Sequence, residues 1–296
     1  MNRKNIYLSI IGIFVIAELF AQANLLNAKL PSEIGVKTEE QKLADNDGPL
    51  PYGYVDDRDI LWSKTTWEII DLDERVNFPF YYPLDTIGIG TDRRSLYDNI
   101  MINIRNGNLK EVYTDSYFTE KRTLKDLEAT LVKIDTTDAG YEQYNAGEPI
   151  SPEYINKRKL TAADIEEWRV KGLWYFDKRH GELKYRILGI APVAPDVNFI
   201  DSETPDLVEL FWVWYPSARQ ILYDAKVFNQ KNSAKPISFD HLLNARRFNG
   251  YIYKEDNVYG DREIYDYLSD NSLFQLLESQ KIKEQIRDFE QDMWNY

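Results

Sequence analysis

DLVELFWVWYPSARQ (residues 206–220) sets Phe211, Trp212, Val213, Trp214 and Tyr215 side by side, and the reading of this run decides the fold. Laid out as a strand, Val208, Leu210, Trp212 and Trp214 share one face, while Leu207, Glu209, Phe211, Val213 and Tyr215 share the other. Both faces are largely apolar, the pattern of a strand covered on two sides. The run therefore reads as a central core strand ended by Pro216, with both tryptophans mainly core. A ligand-stacking surface and a protein-binding patch are the rival readings of the same aromatics. Glu209 is the anomaly, because a carboxylate buried in such a strand needs a partner.

Outward from this run, ILWSKTTWEIIDL (60–72) is rich in Trp, Ile and Thr and reads as a strand. GLWYFDKRHGELKYRILGIAPVAP (172–195) has two apolar runs around a polar turn, which predicts a β-hairpin with Leu183, Tyr185 and Ile187 facing one way and Lys184 and Arg186 the other. TDRRSLYDNIMINIRNG (91–107) places Leu96, Tyr97, Ile100, Met101 and Ile104 on one helical stripe, with Thr91 as cap and Gly107 as stop. Thr123–Asp126 and Thr161–Asp164 each have a hydroxyl followed three residues later by an acid, so each should open a short helix. Residues 135–160 between them read as a long loop. At the C-terminus, Leu273, Leu276, Leu277, Ile286, Phe289 and Met293 recur at near-helical spacing, predicting one or two amphipathic helices docked on the body. The fold class is α+β: mixed short strands and helices in one body with a helical C-terminus.

A candidate internal duplication spans about 60–135 and 205–260. Arg93, Leu96, Tyr97, Asp98, Asn103 and Asn106 match Arg219, Leu222, Tyr223, Asp224, Asn229 and Asn232 at constant offset, and TLKDLEATL (123–131) resembles SFDHLLNAR (238–246).

Composition excludes several partners. Asp plus Glu number 49 against 36 Lys plus Arg, a net charge of −13. Phosphate backbones and anionic membrane surfaces both require clustered cations, so neither nucleic acid nor direct membrane binding is expected. There are no cysteines, hence no disulfides and no thiolate metal site. MNRKN (1–5), the apolar IYLSIIGIFVIA (6–17) and the small-x-small triplet Ala21-Gln22-Ala23 form a secretory signal peptide over residues 1–23. N-terminal sequencing of the exported protein should find cleavage after Ala23; an intact Met1 would refute this. Residues 24–58 carry three prolines, three glycines and many charges with no sustained period, and read as a flexible leader in which PLPYGYV (49–55) could dock. The body is residues 59–296.

The search for chemistry finds no constellation. His180 lies in a predicted turn and His241 in a predicted helix, without metal-ligand spacing, and both read as structural. Gly88-Ile89-Gly90 lacks the third glycine of a dinucleotide fingerprint. Paired acids beside aromatics, as in WYFD (174–177) or Glu209 with Trp212, keep a carbohydrate-active enzyme as one alternative. A monomeric periplasmic binding protein is another. No catalytic, cofactor-binding or metal residues are assigned, and no cofactor is expected.

LWSKTTWEIIDLDERVNFPFYYP (61–83), WRVKGLWYFDKRHGELKYRILGIAPVAPD (168–196), ELFWVWYP (209–216), ISFDHLLNARRF (237–248), YKEDNVYGDREI (253–264) and the stretch from Asn271 to Tyr296 together resemble the gliding-motility GldN (PorN) family, in order and over nearly the whole mature chain. The resemblance implies a structural, non-enzymatic subunit of the type IX protein secretion machinery. It further implies a periplasmic location beneath the outer membrane, self-association in a ring with an outer-membrane lipoprotein, and contact with the periplasmic shaft of an inner-membrane motor.

Overall fold

The computed structural model describes residues 48–87, 93–200, 202, 205–229, 237–269 and 271–294. The Ala23 cleavage site and the Thr91 cap lie outside these residues. The chain divides between Gly48 and Pro49, and the body begins at Pro49.

Its frame is an antiparallel sheet. β1 (Ile60–Asp71) is the predicted Trp- and Ile-rich strand. After the short α1 (Phe78–Tyr81) comes α2 (Leu96–Arg105), followed by β2 (Val112–Tyr113). All five residues of the predicted stripe of α2 are buried, the helix is capped by Ser95, and Gly107 at φ 73° follows its end. Next are α3 (Leu124–Thr130), β3 (Val132–Thr136), α4 (Asp138–Asn145) and β4 (Ile155–Lys159). β5 (Glu167–Asp177) and β6 (Glu182–Pro195) form the predicted hairpin, the longest in the fold. Lys184 and Arg186 point to Asp177 and to the ring of Tyr175, whereas the Tyr185 ring packs 4.7 Å from Trp174.

The aromatic run is where the sequence reading needs correction. It makes not one strand but two, β7 (Leu207–Glu209) and β8 (Trp212–Trp214), and Tyr215 already begins α5 (Tyr215–Asp224) with Pro216 in its first turn. Both strands lie along β6, and Leu210 N–H still donates to Pro192 O at 3.0 Å. Pro192 has a carbonyl to offer but no N–H, so the ladder cannot run through this point in both directions. Alternation survives beyond the break: Phe211, Val213 and Tyr215 enter the main core, and Trp212 enters the opposite face with Trp67 and Ala191. All four are fully buried, but Trp214 is only half-buried.

The chain then forms β9 (Lys226–Val227), β10 (Ile237–Ser238), α6 (Phe239–Asn244), β11 (Tyr251–Glu255), α7 (Ile264–Tyr267) and α8 (Ser272–Trp294). The main sheet runs β11-β1-β5-β6-β8-β2, with β7 also on β6. Leu96 and Ile100 of α2, Leu222 of α5 and Phe239 of α6 pack on one face against Trp168, Val170, Ile190 and Val213. Ile282 and Ile286 of α8 pack beside them on the same face, against Ile252, Trp62, Trp174 and Leu183, since Ile252 pairs with Glu68 and Glu68 with Val170. The α+β class follows.

Four further readings change. Residues 135–160 are not a loop: β3 and β4 pair from Val132↔Lys159 to Thr136↔Ile155, with α4 between them. Their strands are polar and mostly exposed, so no apolar period marked them. Thr161 does build a capping box, but it opens only a single 3-10 turn, Ala162–Asp164. The matched residues of the candidate duplication do not share a structural position, since Leu96-Tyr97-Asp98 starts α2 while Leu222-Tyr223-Asp224 ends α5. Thr123 and Ser238 do cap α3 and α6 alike, each accepting from the N–H three residues on. Finally, the C-terminal helix is single and docks through its second half. Phe289 stacks 4.7 Å from Trp62, whereas Leu273, Leu276 and Leu277, predicted on the docking stripe, are more than half exposed.

The leader also ends sooner than its composition suggests. Residues 50–54 lie against the body as a strap. Arg219 donates to Leu50 O at 2.7 Å and Arg186 to Gly53 O at 3.0 Å. The Tyr52 ring sits 4.0 Å from the Arg219 guanidinium and 4.7 Å from that of Arg186, and its hydroxyl donates to Asn244 Oδ1 at 2.8 Å. Beneath it, Asp240 accepts from Tyr215 and Arg219, so the strap completes a buried polar network. Tyr52→Ala should cost about 1–2 kcal/mol from lost cation–π and hydrogen-bond contacts. Limited proteolysis should then cut within residues 49–58 faster than in the parent chain; an unchanged rate would show that Tyr52 does not hold the strap.

Candidate functional site

Beneath α8 the body keeps a cleft of about 380 Å³, floored by the sheet and walled by the helix. Its charge begins on β1. Glu68 is 1% exposed, and a carboxylate so placed must be paired or neutral. Arg246 pairs with it through both nitrogens, at 3.0 and 2.6 Å. The arginine arrives by an unusual backbone route. Helix α6 closes with Arg246 N–H on Leu243 O and Arg247 N–H on Leu242 O, the motif whose left-handed residue is usually glycine. Here that residue is Arg246, at φ 48°. A glycine would relax the turn but would leave Glu68 alone. The guanidinium is further held 4.3 Å from the Tyr185 ring and 5.1 Å from the rings of Trp174 and Phe248. Burial pushes the Tyr185 phenol well above its usual value, so it stays neutral beside the pair.

Helix α8 supplies the other wall. Ser279 Oγ accepts from Ile252 N–H at 2.8 Å, and Lys283 Nζ donates to Gly250 O at 2.5 Å. Both bonds satisfy outward-facing groups on or next to edge strand β11, which would otherwise invite a foreign strand. Burial holds the Lys283 ammonium below its ordinary value. Arg287 and Glu290 stand on the same helix at the cleft.

A second surface lies at the start of α8. Leu273, Phe274, Leu276 and Leu277 are 51–62% exposed, and Tyr259 and Tyr265 in the preceding segment are 74% and 63% exposed. Four large apolar side chains on about one and a half turns of one helix form an exposed apolar patch of the kind that marks contact surfaces. The spacing of this stripe was legible in the sequence; which half of it docks was not.

The residues weighed for chemistry are occupied by structural partners. Glu209 accepts from Arg169 at 2.6 Å and from the Trp212 indole at 2.5 Å, which supplies the partner its burial required and ties it to the fold. Asp177 accepts from Lys184 at 2.9 Å, contacts His180 Nδ1 at 2.7 Å, and lies well below the usual carboxylate range because of those two groups. His180 thus braces the β5–β6 turn, and His241 lies in α6 with its backbone N–H on the Ser238 cap. Among the described residues no cluster of His, Cys, Asp or Glu is placed to hold a metal ion, and no helix is long and apolar enough to cross a membrane.

The body described above coincides with a known family. The sequence matches the family described as "Gliding motility associated protein GldN" over residues 55–295. The chain belongs to the GldN family. The match takes in the sheet, the ionic cleft and all of α8, and it begins at Val55, just after the docked strap. No curated protein matches the chain. In this chain the aromatic run proves mainly core and not a ligand-stacking surface, because Phe211, Trp212, Val213 and Tyr215 are all 0% exposed.

Proposed function

We propose that this GldN-family chain is a non-enzymatic structural subunit of the gliding and type IX secretion machinery. In this reading the protein is exported by its N-terminal signal and works in the periplasm, peripheral to the outer membrane. It forms a ring with an outer-membrane lipoprotein and meets the periplasmic shaft of an inner-membrane motor. Family membership supports the link to gliding motility. The observation that carries the scaffold reading further is the exposed apolar half of α8, a surface suited to protein contact and to little else. A ring needs heterologous contacts, in which one patch meets a different patch on its neighbour.

The test replaces that surface in the native strain. Leu273→Glu, Phe274→Glu and Leu277→Glu together should leave the melting temperature of the purified protein nearly unchanged, because none of the three is buried. The same variant should lose co-purification with envelope partners, and with it secretion and gliding. Full gliding and normal co-purification would refute the assignment of this surface. A variant elsewhere that assembles normally yet secretes nothing would overturn the scaffold reading itself.

A further inference from the structure

The cleft beneath α8 has a chemistry that structural packing does not use up. Its walls are apolar, from Trp174, Leu183, Phe248 and Ile286. On its floor Glu68 and Arg246 consume one another through two hydrogen bonds and leave no net charge. What remains is Lys283, half-buried, with its amine on one backbone carbonyl and in no ion pair among the described residues. Arg287 stands one turn further along the same helix, its Nε 4.0 Å from Asp288 Oδ1 and its other nitrogens available to the cleft. Counting all five ionic groups lining the cleft, three cations face two carboxylates, Glu68 and Glu290, in a chain whose overall charge is −13. A desolvated ammonium without a counter-ion is costly, and an anion beside it offsets that cost.

We infer that the cleft is a receptor for a carboxylate carried on an apolar body, presented as the last residue of a peptide. Size decides between sources of the carboxylate. A cleft of about 380 Å³ is at the small end of ligand sites and takes one or two residues, not a helix or a strand. Carboxylate and apolar group must then belong to the same short piece. An internal Asp or Glu brings the charge without the apolar body, whereas a C-terminal Phe, Leu or Ile brings both. In the bound arrangement the carboxylate meets Lys283 and Arg287, and the side chain lies against Trp174, Leu183 and Phe248. Glu290 opposes the anion from the rim and sets a limit on affinity. The inference stands on the cleft alone, independently of ring assembly.

Calorimetric titration of the whole mature protein tests it with three probes: the tripeptide Gly-Gly-Phe, its C-terminal amide, and 3-phenylpropanoate. The free tripeptide should bind, and the amide should bind about tenfold more weakly or worse, the loss of one charged contact. Lys283→Met should reproduce that loss, Lys283→Arg should retain binding, and Glu290→Gln should tighten it. The amide comparison uses the unaltered protein, so it decides the question even where a substitution disturbs α8. Equal binding of acid and amide, or no binding of either, overturns the receptor. Binding of 3-phenylpropanoate alone overturns the peptide assignment and leaves a free organic acid as ligand.

Discussion

Arg246→Ala should be destabilised by about 3–5 kcal/mol, because it strands a buried carboxylate. Glu68 is 1% exposed, so water cannot replace the two hydrogen bonds that Arg246 gives it. Alanine brings no relief elsewhere, since it inherits the left-handed backbone at φ 48°. Arg246→Gly separates the two contributions. Glycine recovers the about 1–2 kcal/mol that a side chain costs in that conformation, so the glycine variant should be more stable than the alanine variant yet below the parent. Glu68→Leu with Arg246→Met removes both charges and should regain most of the loss. Urea unfolding with an unchanged slope reads all four. Parent-like stability of Arg246→Ala would mean that Arg246 is not what compensates the burial of Glu68, and would overturn the pair's structural role.

Why these two residues escaped the sequence reading is a matter of distance along the chain. Glu68 and Arg246 are 178 positions apart, and each looks ordinary where it stands, one in a strand and one after a helix. Nothing local says that a left-handed turn will hold an arginine. The same holds for the strap, where Tyr52 meets Arg186, Arg219 and Asn244, all far away. Local and periodic features were legible instead. The stripe of α2, the β5–β6 hairpin, the caps at Thr123 and Thr161 and the single helix α8 all rest on neighbours within a few positions. The β3–β4 hairpin was missed for the converse reason, since strands exposed on both sides have no apolar alternation to betray them. For α8 the apolar spacing gave the helix but not its docked face: Ile282 stands about 180° around the helix from Leu273, so the buried and the solvent-facing residues occupy opposite sides. The proposed contact surface of this chain is thus written in what the body leaves uncovered, and that is decided only once the sheet is assembled.

The aromatic run offers the second large effect, and it falls on Trp212 and not on Trp214. Trp212→Ala should cost about 3–5 kcal/mol, as for other fully buried large-to-small changes. Trp212 is 0% exposed among Trp67 and Ala191, and its indole donates to Glu209, so the alanine variant both opens a cavity and removes one of the bonds holding that carboxylate. Trp214, two positions on, is half-buried and meets Phe118 edge-on at 4.8 Å. Phe118 in turn lies where a Cβ on Gly189 would be, 2.5 Å from its ring, so the contact depends on that glycine. Truncating Trp214 exposes Phe118 but opens no closed cavity, and about 1–2 kcal/mol is expected, mostly the aromatic pair and partial burial. Trp212→Phe should sit between the two, filling much of the volume but leaving Glu209 with Arg169 alone. Differential scanning calorimetry of the three variants gives the order directly. A larger loss for Trp214→Ala than for Trp212→Ala would place the centre of the aromatic core at the Trp214 end of β8 and refute the assignment to Trp212. A Trp214→Ala protein that keeps its melting temperature but loses its envelope partners would make the exposed edge of this tryptophan part of the assembly surface.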